Sequence, residues 1–138
     1  MMKSKKFISL VTVAALASTI LVGCGAAKET GLKNGNYEAK SEKDERGYVA
    51  SINIEVKDGK IATVKFDEAN DAGSKLQDVE YNTKMEAVSG INPIKAYPDL
   101  ETALVEKQDV DAVDTVTGAT NTSDTFKALA KKALETAK

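Results

Sequence analysis

Histidine and tryptophan are absent from this chain, and its 138 residues contain a single cysteine. Without histidine there can be no Ser-His-Asp triad, no Cys-His dyad and no imidazole metal site. One cysteine can neither close an intramolecular disulfide nor build a thiolate cluster. Any reactivity must therefore come from carboxylates, hydroxyls, lysine or tyrosine, or from a group attached to the chain. The remaining composition, 42% hydrophobic and 29% charged, fits one small globular unit.

A basic start followed by an apolar run marks the N-terminus. Lys3, Lys5 and Lys6 precede an uncharged apolar run over residues 7–22. At about 16 residues the run is shorter than a spanning helix requires, so it predicts an export signal rather than a membrane span. The run ends in Leu21-Val22-Gly23-Cys24, which resembles the lipobox of bacterial lipoproteins. In a lipobox the cysteine thiol receives a diacylglyceryl group and becomes the new N-terminus.

This resemblance implies three segments. Residues 1–23 are expected to be a lipoprotein signal peptide, residues 24–33 a flexible stalk lipidated at Cys24, and residues 34–138 the functional domain. The alternative is a true transmembrane anchor with an incidental cysteine. Two acyl chains give stable membrane attachment where one gives only marginal binding. The lipobox therefore implies an exported protein anchored by lipid on the outer face of the cell membrane.

The exported part is acidic. Residues 24–138 keep all 21 acidic residues and lose three of the 19 basic ones, which leaves a formal charge of −5. Nucleic acids and anionic lipid headgroups attract basic patches, so this balance argues against both as partners.

Alternating and helical patterns predict the elements of the domain. Residues 48–56 alternate apolar and polar side chains, and Asp58-Gly59 predicts a hairpin turn into a strand over residues 61–66 with Ala62, Val64 and Phe66 on its apolar side. Two helices are expected over residues 75–88 and 122–137. A short strand is expected at Tyr37 and Ala39, and a solvated acidic loop over residues 67–74 that ends in the helix cap Ser74. Gly90 should end the first helix, and an extended crossing at Pro93 and Pro98 should lead to a short helix capped by Asp99. A strand over residues 110–116 and an N-cap at Thr122, Ser123 and Asp124 should precede the last helix. The acidic loop lacks the ligand spacing of a calcium-binding EF-hand, so no metal site is expected there. The sum is an α+β domain with helices on one face of a small antiparallel sheet.

Hydroxyl side chains crowd the segment Asp114-Thr115-Val116-Thr117-Gly118-Ala119-Thr120-Asn121-Thr122-Ser123. Gly118 permits a tight or left-handed turn, and the small Ala119 lets a ligand approach the backbone. The free amides that open the following helix favour an anion such as phosphate. The alternative is that the hydroxyls merely cap the helix.

The fuller string Asp114-x-x-Thr117-Gly118-Ala119-Thr120 resembles the flavinylation motif of the FMN-binding domain family. That family includes the FMN-carrying subunits of the Rnf and Na⁺-pumping quinone reductase complexes, and exported lipoproteins of extracellular electron transfer. The resemblance implies an FMN-binding domain-like fold in which Thr120 accepts FMN through a phosphoester. A separate Mg²⁺-dependent flavin transferase would install it from FAD and recognise the rest of the motif; Thr122 and Ser123 continue the match.

A tethered flavin would supply the redox chemistry that the side chains lack. Tyr81 and Met85, one helical turn apart, are candidates for one wall of the ring site, with Tyr97 or Pro93 opposite. Lys65 or Lys95 could stabilise the reduced ring, although each of these residues also has an ordinary structural role. The function expected from the resemblance is an electron carrier, rather than a substrate-specific enzyme, between a membrane-bound quinone-linked dehydrogenase and an external acceptor. The alternatives are a lipoprotein that binds FMN or another phosphate ligand noncovalently, and a structural or signalling lipoprotein without flavin.

Overall fold

Four antiparallel strands follow one another across a single sheet in the order of the chain. In the computed structural model, which describes residues 31–138, they are β1 (Gly35–Lys40), β2 (Val49–Lys57), β3 (Lys60–Asn70) and β4 (Gly73–Ser74). The predicted signal peptide, Cys24 and residues 25–30 of the predicted stalk lie outside the described residues.

Within residues 31–138, three α-helices follow the sheet. They are α1 (Val79–Ser89), α2 (Pro93–Lys107) and α3 (Thr120–Leu134), and single 3₁₀ turns occupy Lys75–Gln77, Val110–Ala112 and Glu135–Ala137. Helix α2 packs on β3, and α3 packs on β1 and β2. No helix within residues 31–138 is long and apolar enough to cross a membrane.

The core lies between one face of the sheet and the helices α2 and α3. Its largest fully buried side chains come from both layers: Ile52, Ile54 and Val56 from β2, and Tyr97, Leu100, Leu104 and Phe126 from the helices. Each large apolar side chain buried in this way contributes about 1.5–3 kcal/mol. The predicted α+β fold with helices on one face of the sheet is confirmed.

The hairpin between β2 and β3 forms as predicted but contains a bulge. Asp58 and Gly59 both take positive φ, 52° and 72°, as a two-residue hairpin turn requires. The register then shifts, because Val56 pairs with Ile61 while Glu55 pairs with Thr63. The extra residue turns Ala62 outward, so the prediction that Ala62 faces the core is wrong and Ile61 takes its place.

Strand β3 continues through residues that were predicted to form a loop. It extends to Asn70 and pairs with β4, and Ser74 caps the 3₁₀ turn that follows by accepting a hydrogen bond from the Leu76 amide. The alternation of Val64 and Phe66 carries on to Glu68, which is buried. An acidic residue thus occupies a position on the core face of the sheet.

The helix boundaries differ from those predicted. Helix α1 begins at Val79 behind the cap Asp78 and ends before Gly90. The predicted extended crossing is wrong, because Asn92 caps α2 and Pro93 takes its first position, where a missing N–H costs nothing. Asp99 is therefore an interior residue of α2 and no cap.

The link between α2 and α3 is also not the predicted strand. Val110–Ala112 is a 3₁₀ turn, and residues 113–119 form no regular structure. The open edge of β3 is already occupied here, since the Gln108 side chain accepts from the Ile61 amide and donates to the Ile61 carbonyl, both at 2.7 Å. Glu101 accepts from the Phe66 amide on the same edge. Side chains of α2 thereby satisfy strand groups that would otherwise invite pairing.

Candidate functional site

The hydroxyl-rich segment folds into a reverse turn that leads directly into α3. The Ala119 amide donates to the Val116 carbonyl at 2.9 Å, which closes a four-residue turn. Gly118 is the third residue of this turn and has φ of 83°, the positive value that a type II turn requires there. Thr120 follows as the first residue of α3, and its side chain is exposed.

Gly118 is required by space as well as by conformation. A Cβ atom at this position would lie 2.4 Å from the Ser89 carbonyl oxygen and 3.1 Å from Cγ2 of Ile91. The turn is therefore pressed against the end of α1. This contact fixes Thr120 relative to Tyr81 and Met85, which belong to α1.

The Ser123 side chain stabilises the turn by two hydrogen bonds. The side chain is fully buried, and its Oγ accepts from the Val116 amide at 3.0 Å and donates to the Ala119 carbonyl at 2.8 Å. The predicted N-cap of α3 at Thr122, Ser123 and Asp124 is wrong, because the helix already begins at Thr120 and these residues lie inside it. Ser123 instead connects α3 to the turn through the two hydrogen bonds of its buried hydroxyl.

The N-terminus of α3 is left without a side-chain cap. Ala119 occupies the cap position and has no side-chain hydrogen-bonding group. The first backbone hydrogen bond runs from the Ser123 amide to the Ala119 carbonyl. The amides of Thr120, Asn121 and Thr122 therefore have no acceptor within residues 31–138. Three such donors at the positive end of a helix favour an anion.

A groove of about 620 Å³ opens beside Thr120. One side is formed by the turn and the first residues of α3, from Gly118 to Thr122. The other sides are formed by α1, by the loop between β1 and β2, by the end of β3 and by the 3₁₀ turn that begins at Lys75. They contribute Tyr81, Met85, Ser89, Asp44, Glu45, Arg46, Glu68 and Lys75. Chain segments far apart in sequence thus converge on one open cleft.

Comparison with known proteins shows the family to which this domain belongs. The family model of the FMN-binding domain matches residues 47–135, well over half of the chain. The chain belongs to the FMN-binding domain family. FMN is accordingly the cofactor that the comparison supports for this domain.

Relatives of this FMN-binding domain have been described in bacteria. The chain is 36% identical over 124 residues to the 15 kDa lipoprotein of Treponema pallidum, covering 88% of each chain. It also resembles a crystallised protein of Clostridium perfringens, with 46% identity, a TM-score of 0.74, and coverage of 77% of this chain and 88% of that one. A solution structure from Clostridium thermocellum shares 28% identity and a TM-score of 0.51, covering 78% of this chain and 93% of that one.

The groove of the FMN-binding domain has features that suit a flavin phosphate. Its volume of about 620 Å³ falls in the usual range for cofactor pockets. Arg46 lines the same groove as the first residues of α3, and its guanidinium group has no ion pair or hydrogen bond within residues 31–138. Tyr81 and Met85 offer an aromatic ring and a polarisable thioether for contact with a flat ring system. The residues present therefore fit FMN.

The predicted site residues divide into two groups. Gly118, Ala119, Thr120, Thr122, Tyr81 and Met85 line the same groove. Asp114 and Thr117 are exposed outside it, and Ser123 is buried beneath it. Lys107 Nζ donates to Asp114 Oδ2 at 2.7 Å, and this hydrogen bond holds the pKa of the Asp114 carboxyl below its usual range.

The other residues predicted from the sequence for the ring site do not line the groove itself. Tyr97 and Pro93 line a small cavity of about 30 Å³ that shares Tyr81, Met85, Gly118, Ala119 and Thr122 with the groove. Lys65 lies near Glu101 and lines a different cavity, and Lys95 pairs with Glu86. Neither lysine lines the groove beside Thr120. No cluster of three metal-ligating residues occurs within the described part of the chain.

Lys75, Glu68 and Arg46 were not recognised as groove residues from the sequence. Glu68 could have been found, because it continues the inward alternation of Val64 and Phe66, and an acidic residue on a core face needs a buried partner. Lys75 is that partner, with Nζ 2.8 Å from Glu68 Oε2. Nothing in the sequence around Arg46 distinguishes it from an ordinary loop residue.

Replacing Ser123 with alanine is expected to loosen the turn before Thr120. The change leaves the Val116 amide without its acceptor, so the free energy of unfolding should fall by about 1–3 kcal/mol. Urea denaturation measures this loss, and hydrogen exchange at the Val116 amide should accelerate. Asn121→Ala is the matched control, because Asn121 is exposed on the same helix and should change stability by less than about 0.5 kcal/mol. Equal effects of the two changes would contradict the role given to Ser123.

Proposed function

We propose that this FMN-binding domain carries FMN as a phosphoester on the Thr120 hydroxyl and serves as a membrane-tethered electron carrier outside the cytoplasm. The observation that carries the proposal is the position of Thr120, which is exposed at the start of α3 and lines the groove of about 620 Å³. Bound flavin supplies the one- and two-electron chemistry that the chain's own side chains lack.

The groove residues have distinct tasks in this proposal. The free amides of Thr120, Asn121 and Thr122 and the Arg46 guanidinium group stabilise the negative charge of the phosphate. Tyr81 and Met85 form a wall against the ring. Ser123 and the close packing of Gly118 keep the attachment point in one position. None of these tasks requires a side chain to be chemically reactive.

Attachment requires an external catalyst. The threonine hydroxyl is a weak nucleophile, and no side chain within residues 31–138 accepts a hydrogen bond from the Thr120 hydroxyl. With FAD as donor, a bond forms between Thr120 Oγ and the phosphorus of the FMN half. The phosphoanhydride bond of FAD breaks, AMP leaves, and the hydroxyl proton passes to a base of the transferase. This partner is the Mg²⁺-dependent flavin transferase that the motif implies.

Asp114 is suited to recognition by that transferase. Its side chain is 91% exposed and is held by Lys107, so the carboxylate stays charged and accessible. Thr117 is exposed as well. Both residues lie outside the groove, which agrees with a role in recognition by the enzyme rather than in holding the ring.

Lipidation at Cys24 would keep the domain close to the membrane. The Treponema pallidum relative is named a lipoprotein, which supports the lipobox assignment of Cys24. The Lys33 amide donates to the Ala137 carbonyl, so the chain is already tied to the domain at Lys33. The intervening residues can span at most roughly 30 Å. This reach favours a membrane-bound, quinone-linked dehydrogenase as the electron donor.

Electron transfer is tested with the full-length protein in membranes. Cells that make the chain together with a flavin transferase and a quinone-linked NADH dehydrogenase provide the membranes, and NADH is added. The flavin absorbance is expected to bleach, and to bleach at least tenfold more slowly for Cys24→Ser, because tethering raises the effective concentration of the carrier. A flavin that stays oxidised while the dehydrogenase is active would contradict the carrier role.

Noncovalent binding of FMN or another phosphate ligand is the second candidate function. The free amides of α3 and the Arg46 guanidinium group favour it, since they could hold a phosphate without any bond to Thr120. Denaturation separates the two functions. Flavin fluorescence that stays with the protein band on a denaturing gel supports the phosphoester, and fluorescence that is lost supports noncovalent binding.

A further inference from the structure

A buried lysine stands between two tyrosine rings at the groove. Lys75 is 6% exposed, and its Nζ lies 4.4 Å from the centre of the Tyr48 ring and 5.3 Å from that of Tyr81. The same Nζ donates to Glu68 Oε2 at 2.8 Å. Glu68 Oε2 also accepts from the Tyr97 hydroxyl at 2.5 Å. The lysine is thus fixed in place although it lines an open cleft.

The backbone of Lys75 is anchored as well. Asn82 is buried in α1, and its side-chain amide donates to the Lys75 carbonyl at 2.7 Å. Burial and the neighbouring Glu68 carboxylate raise the pKa of the Tyr97 hydroxyl, so this hydroxyl keeps its proton and goes on donating to Glu68. Both ends of the lysine side chain are therefore restrained by groups that do not face solvent.

The ammonium group of Lys75 retains unused donors. It carries three N–H bonds, and Glu68 is its one hydrogen-bond acceptor within residues 31–138. A buried cation is costly unless its donors are paired, and ring faces compensate only in part. Lys75, Tyr81 and Thr120 line one groove, so a ligand bound there would have access to this ammonium group.

We propose that Lys75 is the residue that recognises the isoalloxazine ring, with its ammonium group donating a hydrogen bond to a carbonyl oxygen of the ring's pyrimidine edge. This inference rests on the proposed function, because it takes FMN to be attached at Thr120. Lys75 is the lysine that lines this groove, whereas Lys65 and Lys95 lie elsewhere. Glu68 acts as a positioning residue that aims the ammonium group.

The placement has a consequence for the reduction potential. Reduction of a bound flavin by two electrons from an added reductant and one proton from solvent would leave one negative charge on the ring, near its pyrimidine edge. A fixed cation at that edge stabilises the reduced form more than the oxidised form, and so raises the potential. Pairing with Glu68 offsets part of this effect.

The reduction potential of the FMN-loaded protein tests the inference. Lys75→Met is compared with Lys65→Met, which removes the same charge from an exposed position outside the groove. Lys75→Met is expected to reduce the ratio of reduced to oxidised flavin at least tenfold at a fixed potential, which is about 30 mV for a two-electron couple. Lys65→Met is expected to leave this ratio unchanged. Dye equilibration with a low-potential reductant provides the measurement without any electron-transfer partner.

FMN loading and folding of the variants are checked separately. Lys75→Met leaves Glu68 buried without its cation, which destabilises the fold. If this variant does not fold, the reduction potential is measured for the double variant Glu68→Gln/Lys75→Met, which removes both charges. Equal potentials for the Lys75 variant and the Lys65 variant, with one FMN per chain by mass, would overturn the inference while leaving the proposed function intact. Absence of FMN from the unmodified protein would instead overturn the proposed function.

Discussion

Thr120→Ala is expected to abolish covalently bound flavin completely. The proposed phosphoester forms at the Thr120 hydroxyl, and alanine has no atom to which the phosphate can be attached. The side chain is exposed and has no partner within residues 31–138, so folding should be almost unaffected. In-gel flavin fluorescence after production with an active transferase measures the loss, and urea denaturation verifies the fold.

Two control variants test whether the loss is specific to the Thr120 hydroxyl. Thr122→Ala removes a neighbouring hydroxyl that lines the same groove, and it should still carry FMN. Thr120→Ser keeps a hydroxyl at the attachment point and should also be flavinylated. Fluorescence that persists in Thr120→Ala, or that disappears equally in Thr122→Ala, would contradict attachment at Thr120.

Gly118→Ala is expected to have the second largest effect. The added Cβ would lie 2.4 Å from the Ser89 carbonyl oxygen, which belongs to backbone and cannot move aside cheaply. The residue would also be forced into a φ of 83°, which an L side chain rarely adopts. The free energy of unfolding should fall by about 2–4 kcal/mol, and flavin loading should fall because the turn shifts away from α1.

Gly90→Ala separates the clash from the backbone strain. Gly90 has a similar φ of 74°, but a Cβ atom there would meet nothing within 4 Å. This control should lose only about 1 kcal/mol and should keep its flavin. Thermal denaturation and in-gel fluorescence of both variants give the comparison. Equal losses at the two glycines would show that the packing of Gly118 against Ser89 has no special role.

The parts of the fold that could be predicted are those governed by local rules. Alternation marks β2, the Asp58-Gly59 pair marks the hairpin turn, and the 3.6-residue period marks α3. The misplaced elements depend on distant contacts. A one-residue bulge reverses Ala62, and the end of β3 pairs with a strand of only two residues, Gly73–Ser74. No local pattern encodes either feature.

The site, too, could be predicted from local sequence patterns but not where it depends on distant contacts. The motif drew attention to Thr120 and Gly118, and one helical turn in α1 linked Tyr81 with Met85. Sequence order could not bring Lys75 and Arg46 to the same groove, because their positions depend on how β3 and the loop between β1 and β2 meet α1 and α3. The sequence predicts an extended crossing at Pro93, but the first position of a helix tolerates proline, and Pro93 begins α2.

The most direct test of the account is the intact mass of the mature domain made with and without an active flavin transferase, followed by mapping of the modified peptide. The account predicts a transferase-dependent gain of one FMN less one water, located on the peptide that contains Thr120 and absent from Thr120→Ala. An unchanged mass despite a transferase that flavinylates a known substrate, or a gain located on another residue, would contradict covalent attachment at Thr120.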